Sequence, residues 1–581
     1  MNQVKAHDPR RFLVACGLIG LLMLAALASQ VHSQWTRVGL TLYLADNAGK
    51  LERSEKRPAV RGMILSSDGA VLAENDNRST LLLQGNKIPK GDAFFLDLGE
   101  AAGISPGEMA NRLRKDKGLN KDGSLKSYSV SWSRPLDEDA VAAIAQVRRD
   151  WRADGVSVES KKARRYGLGP AAANLVGWIQ NGTPLNGVER ARNDVLRGVD
   201  GELHGLVDRS GEFLPLKLSK NSREAVNGED VVLTIDSDIQ KAAYEALEEA
   251  VTTHAAEYGV AVVMEPATGN VLAMSEYPAP VPPGQSDIPA QFDLGQERNR
   301  AISLPIEPGS VLKTVTLAEA LDLGLVGLHD EWSCKGKFRV LNQTLGCHGG
   351  HGRVDPEKAI AKSCNYAAAN WARLIGYEKY SKFIESTGML DRVDLELEGE
   401  RKGFYNRGVS ARELTLANLG YGQSIQVTPL ALCSALTMFA NRGLAMTPRL
   451  IEYVGEKKQP LRPRGILIKE ETADAMLRLM ESVIQTDEGT GNSLRIPGYR
   501  LAGKTGTAER IGTGGGYVAN FAGYVPANSP QAVVLVMVNA PTKGHMGGSV
   551  AGPVFRKIAL SVIKKKQIPP TEPIQPKEPA L

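Results

Sequence analysis

Cysteine is scarce, with five among 581 residues, and one of these, Cys16, lies inside an N-terminal apolar run. That excludes a disulfide-dense scaffold, so hydrophobic cores must support the fold. An excess of one charge sign is also missing: 70 Lys plus Arg stand against 65 Asp plus Glu, a net +5. Spread over so long a chain, this balance offers no concentrated field for a polyphosphate and argues against nucleic-acid binding. Only one long apolar run occurs, which excludes a polytopic membrane protein. With 42% hydrophobic and 23% charged residues the chain is neither collagenous nor disordered, and its length exceeds one ordinary core. Two or more domains are expected.

The single run, Phe12 to Ala28, is just long enough to cross hydrocarbon with a few flanking residues. Lys5, Arg10 and Arg11 precede it, so the positive-inside bias predicts a cytoplasmic tail over residues 1–11, an anchor over 12–31 and an exported remainder. Ala26-Leu27-Ala28 before Ser29 fits the competing reading, a cleaved signal peptide. Both put the site of action outside the cytoplasm, on the outer side of the inner (cytoplasmic) membrane.

Cys334 and Cys347 flank an alternating segment that reads as a hairpin, and an oxidising compartment permits a bridge between them. His348 and His351 make zinc the sharper alternative. The Cys-x12-Cys-His-x2-His spacing matches none of the usual closed structural sites, so a disulfide or two unpaired thiols is the favoured expectation.

Residues 61–75 read as a strand, a Ser-Asp-Gly turn and a return strand, within a charge- and glycine-rich stretch to about Asn227 that carries no catalytic constellation. Near Asp230 the texture changes to a strand (230–236), an amphipathic helix (239–254) and a hairpin turning at Pro266 to Gly269. Three further strands, around 499–509, 517–526 and 531–541, precede a final helix from about Val550 to Ile563. Strands at both ends with helices between predict an α+β domain, one antiparallel sheet covered by helices. The expected division is 32–228, 229–563 and a Pro-rich extended tail over 564–581.

Ser310 and Lys313 stand three apart at the start of an apolar-periodic helix, on one face of its positive end. This pairing suits a serine nucleophile with an amine base whose burial favours the neutral form. Alone the pattern is weak, since average composition gives about two S-x-x-K matches in such a chain. A second is indeed present, Ser561 and Lys564, which reads as a solvated helix end. Ser363-Cys364-Asn365 falls at a loop-to-helix junction, where an ordinary N-cap is the plain alternative. Lys504-Thr505-Gly506-Thr507 falls on a presumed sheet edge, where Gly506 lets backbone and substrate approach.

Taken together in this order, S-x-x-K, S-x-N and K-T-G are the signature of penicillin-binding proteins and serine β-lactamases. The chain resembles the class B penicillin-binding proteins, most closely the division-specific FtsI type. RNRAISLPIEPGSVLK, LGYGQSIQVTPLAL, RLAGKTGTAE, ANFAGYVPA and GPVF carry the resemblance in the second half. Arg61-Gly62, RRYGLGPAAANLVGW, GVE at Gly187 to Glu189 and DRSG at Asp208 to Gly211 look like the family's non-catalytic pedestal, of the dimerisation type, which a plain secreted β-lactamase lacks.

The resemblance implies a serine D,D-transpeptidase that cross-links peptidoglycan stem peptides, needs no metal or organic cofactor, and is acylated by β-lactams. It implies catalytic roles for Ser310, Lys313, Ser363, Asn365 and Lys504, and substrate binding by Thr505, Gly506 and Thr507. As partners it implies a membrane glycosyltransferase of the FtsW type and other divisome proteins. Two departures are Cys364 at the centre of the middle motif and VLK after the nucleophile, where an aromatic-containing tripeptide is common. The segment from Cys334 to Cys347, ending in GHG, resembles the elongation branch of the same class more than the division branch. A non-turning-over penicillin sensor is the reading from another class, opposed by a cytoplasmic tail too short to fold.

Overall fold

The computed structural model describes residues 9–89, 91–115, 129–132, 136–180, 182–207, 213–218, 222–280, 298–347, 349–395, 397–405, 412–509 and 515–573. The DRSG motif, His348 and the end of the Pro-rich tail lie outside the described residues.

Strand Tyr258–Met264 is buried along almost its whole length, and Ala532–Asn539 along all of it. Continuous apolar runs of this kind are needed where a sheet is covered on both faces. The sheet has five antiparallel strands in the order Val271–Tyr277, Tyr258–Met264, Ala532–Asn539, Tyr517–Val525, Ala502–Glu509. Its side chains alternate between two cores, as a period of two requires. Ala261, Val263, Val534, Val536 and Val538 enter the core that helices Ser237–Thr253 and Gly552–Lys565 cover. Val260, Val262, Val533, Leu535 and Met537 enter the other, shared with helix Pro429–Ala440, buried from Pro429 to Phe439, and with helix Leu312–Asp322. The α+β expectation holds, and the Lys504 strand is an edge of the sheet as the motif reading required.

A seven-stranded sheet joins segments far apart in sequence: Lys457–Lys458, Ile451–Val454, Val231–Leu233, Ile64–Leu65, Val71–Gln84 and Ser129–Ser131, with Val156–Tyr166 also paired to Val71–Gln84. Ile64–Leu65 runs parallel to Val231–Val232, which brings strands from either side of residue 228 into one sheet. Two pedestal motifs converge here on a buried charge. Glu189, fully buried, accepts from Arg164 Nε at 2.7 Å and Arg61 Nε at 2.8 Å. Arg164 also donates to the Gly62 carbonyl at 2.7 Å. Gly62 is demanded by space, because a Cβ there would lie 2.0 Å from the Glu229 carbonyl oxygen.

By contacts, residues 61–196 with 229–581 form one compact unit and residues 1–60 with 197–228 another. The second unit holds helix Pro9–Leu51 and a three-stranded sheet of Glu52–Arg57, Gly201–Val207 and Phe213–Leu218. Within that helix Cys16–Val38 is long and apolar enough to cross a membrane, and none of that apolar stretch is buried. The helix fits a membrane anchor.

Candidate active site

Ser310 sits in a single 3-10 turn, Gly309–Val311, that runs directly into helix Leu312–Asp322. The turn is held from two sides. Gly309 donates its N–H to the Gly422 carbonyl at 3.0 Å, and Gly422, at φ 84°, has no room for a side chain because a Cβ would lie 1.8 Å from the Gly309 carbonyl oxygen. From the other side, an added Cβ on Gly506 would meet the Pro308 carbonyl oxygen at 3.2 Å and Val311 at 3.3 Å. The edge strand therefore lies directly against the serine turn, and only glycine permits that approach. Beneath it Asn520, opposite Gly506 in the sheet, is buried.

Lys313, one turn along from Ser310, is 1% exposed, and its Nζ donates to the Ser363 hydroxyl at 3.0 Å and the Ser363 carbonyl at 2.5 Å. Burial lowers its pKa to about 8, against the pull of nearby thiols. Lys504 is fully buried, with Nζ bonded to the Thr505 carbonyl at 3.0 Å. Burial pushes Lys504 well below its ordinary value, and the charge of Lys313 pushes the same way.

Ser363 has φ 57°, the left-handed region, between helices Pro356–Ala361 and Asn365–Ile375. That conformation costs a non-glycine residue about 1–2 kcal/mol and marks a position fixed by its surroundings. Asn365 opens the second helix and donates from Nδ2 to the Gly346 carbonyl at 2.7 Å. Thr505 Oγ1 is 2.8 Å from Thr490 Oγ1, and Thr507 Oγ1 accepts from the Gly547 N–H at 3.2 Å. Thr505 is buried, and Thr507 and Ser310 are half-buried.

The structure thus gathers the S-x-x-K turn, Ser363 and the Lys504 strand around one place. The second S-x-x-K match, Ser561 and Lys564, falls in the closing helix, with Lys564 exposed, as expected of a solvated end. Sequence reasoning quoted Gly422 and Asn520 only within LGYGQSIQVTPLAL and ANFAGYVPA, without a role, and missed Thr490 and Gly547, which touch the motifs from remote segments and carry no local pattern of their own. Cys364 is fully buried, and its hydrogen bond with Cys347, together with burial, pushes its thiol far above the ordinary range. Cys334 and Cys347 are not bridged; their sulfurs are 3.6 Å apart. The expected hairpin between them is present as Lys337–Val340 and Gln343–Gly346.

Buried amines beside a half-buried serine at a helix start can activate a hydroxyl for covalent catalysis. Comparison with known proteins agrees in kind. Residues 259–560 match the family model of the penicillin binding protein transpeptidase domain, and residues 56–233 match that of the penicillin-binding protein dimerisation domain. The chain is 30% identical over 561 residues to penicillin-binding protein PbpB of Mycolicibacterium smegmatis, covering 90% of this chain and 86% of that one. It is 28% identical over 566 residues to the probable peptidoglycan D,D-transpeptidase PenA of Neisseria meningitidis, covering 96% and 93%. Against peptidoglycan D,D-transpeptidase FtsI of Buchnera aphidicola it is 29% identical over 462 residues, covering 78% and 77%. Among solved structures, apo penicillin binding protein 3 from Mycobacterium tuberculosis superposes with a TM-score of 0.65 at 25% identity, over 90% of this chain and 99% of that one.

Proposed function

Because the chain belongs to the class B penicillin-binding proteins and is a peptidoglycan D,D-transpeptidase of that type, we propose that Ser310 is its nucleophile and that it acts in septal wall synthesis. One observation carries the assignment of residues: the buried Lys313, on the helix that Ser310 opens, is hydrogen-bonded to Ser363 from the second motif. An amine held near neutrality by burial can take the Ser310 proton as Oγ attacks the penultimate D-alanine carbonyl. The terminal D-alanine departs with a proton relayed through Ser363, leaving an acyl ester on Ser310. An amine of a neighbouring stem peptide then attacks that ester and restores the serine.

Backbone N–H groups of Ser310 and Thr507 are the proposed oxyanion donors, each worth about 3 to 4 kcal/mol in such sites. The close seating of Gly506 on the serine turn supports this pairing. Thr505 and Thr507 are assigned to the substrate carboxylate, and Asn365 to the substrate amide. An arriving carboxylate favours the charged form of Lys504, so its positive potential belongs to the substrate-bound state.

The division role draws support from the FtsI relative, and the apolar helix supports an inner-membrane anchor with the amino terminus in the cytoplasm and the transpeptidase outside. A lipid-linked polymerase of the FtsW type and other divisome proteins are the partners this role requires. β-Lactams are the corresponding covalent inhibitors. Peptide-resolved mass spectrometry after incubation with a penicillin should find the adduct on Ser310 and lose it in Ser310→Ala; an adduct surviving that change overturns the nucleophile. Depletion in cells should give filaments, whereas rounding would assign the chain to elongation.

A further inference from the structure

Three thiols and an imidazole meet beside this site and take no part in the chemistry above. Cys334 ends strand Trp332–Cys334, Cys347 follows strand Gln343–Gly346, His351 precedes strand Gly352–Val354, and Cys364 caps helix Asn365–Ile375. One ligand atom from each lies within 4.8 Å of all the others. Cys347 Sγ is 3.6 Å from Cys334 Sγ and 3.9 Å from Cys364 Sγ.

Neither distance is a bond, since a disulfide holds its sulfurs about 2.05 Å apart. Both match the edge of a tetrahedron of thiolates around zinc, which for Zn–S near 2.3 Å is about 3.8 Å. His351 Nδ1 is buried without a hydrogen-bond partner, an unmet demand that a metal would answer. Three soft sulfurs and an imidazole favour zinc over magnesium, calcium or manganese.

We propose that Cys334, Cys347, His351 and Cys364 form a closed, structural Cys3His zinc site that fixes the Ser363 loop against the neighbouring β-strands. On binding, each thiol releases its proton to solvent, and Zn2+ with three thiolates and a neutral imidazole carries one net negative charge. The fourth ligand is the point the sequence spacing concealed. Cys364 stands 17 residues beyond Cys347 and is contributed by the middle motif itself. The metal so bound ties that motif to two strands, and it gives a physical reason for the left-handed conformation at Ser363 to persist. Its role is positional, with no open coordination place for substrate.

The test uses the full chain in detergent, purified without a metal-affinity tag, and reads metal content by inductively coupled plasma mass spectrometry. One zinc per chain is expected. After chelation under reducing conditions, Co2+ should restore a spectrum with thiolate charge transfer and the intense d–d bands of a tetrahedral site. Cys347→Ser and Cys364→Ser should each lose most of the zinc. His351→Ala keeps every sulfur and should fold even if the cysteine variants do not; as loss of a direct ligand it should weaken zinc binding and shift the Co2+ bands. Less than a tenth of a zinc per chain after reconstitution of the reduced protein with Zn2+, or undiminished zinc in all three variants, overturns the proposal. So does iron or copper in its place, or a Cys334–Cys347 disulfide in metal-free protein. Penicillin acylation is read separately, and its failure counts against Ser310 and not against the metal.

Discussion

Lys313 Nζ donates to both the hydroxyl and the carbonyl oxygen of Ser363, at 3.0 and 2.5 Å, across 50 residues of sequence. The contact makes one unit of two motifs, and the burial that accompanies it holds Lys313 at about 8 instead of 10.5. A general base works in its deprotonated form, so penicillin acylation should rise with pH through about 8 and then level off. Lys313→Arg keeps its proton throughout, and the variant should lose the rise and about 10²- to 10⁴-fold in rate. A wild-type profile flat across that region, measured by stopped-flow acylation, would remove Lys313 as the base.

Gly506 is the second control point. An added methyl meets Asn520 Cβ at 3.1 Å, the Pro308 carbonyl at 3.2 Å and Val311 at 3.3 Å, so the edge strand must retreat by a few tenths of an ångström from the Ser310 turn. Gly506→Ala should lower the acylation rate by about 10- to 100-fold, less than outright loss of an oxyanion donor. The melting temperature should barely move, and unchanged acylation would show that strand position is not critical.

Glu189 holds two guanidiniums, with Arg61 and Arg164 side chains 13% and 5% exposed and its own fully buried. Removing the carboxylate leaves those charges unpaired, a loss of about 3–5 kcal/mol in sites of this kind. Glu189→Ala should therefore shift the denaturation midpoint of the full chain strongly while folded protein still acylates normally. A shift no larger than that of an exposed Glu→Ala control would mean the cluster is solvated in solution.

A pH effect on stability belongs to Glu319, in the Ser310 helix. Burial, aided by the charge of Asp322, raises it from 4.5 to about 7. The folded state keeps a proton that the unfolded state gives up, so its contribution is full below about 4.5 and is lost as pH climbs through about 7. Glu319→Gln stays neutral throughout. The variant and the wild type should melt alike at the acid end, and the variant should melt higher above the upper value. Parallel melting curves at all pH values would place Glu319 in water.

The five strands of the central sheet and the three motifs were legible because each is written locally, in an apolar run or a short triplet with a clear helix, loop or edge context. Contacts between remote segments were not. Ile64–Leu65 pairs with Val231–Val232 over only two residues, too short for any periodicity to announce. Arg61, Arg164 and Glu189 each belonged to a recognised pedestal motif, yet nothing in the motifs said that they meet on one buried carboxylate. The cysteines show the limit most directly. Spacing considered Cys334 and Cys347 with His348 and His351, whereas the fold supplies Cys364 from the helix start.

Ser363 separates conformation from chemistry at one position. Its φ of 57° costs any side chain about 1–2 kcal/mol relative to glycine. Ser363→Gly relieves that strain and removes the hydroxyl; Ser363→Ala removes the hydroxyl and keeps the strain. In both, the backbone carbonyl that accepts from Lys313 at 2.5 Å remains, so the amine stays in place. The glycine variant should therefore be the more stable by about 1 kcal/mol, less whatever its freer unfolded chain takes back. Acylation should fall to a similar low level in both, because the relay through Oγ is gone from each. If the glycine variant instead acylates near the wild-type rate while alanine does not, Ser363 serves the reaction through backbone shape, and the proton must travel by another group.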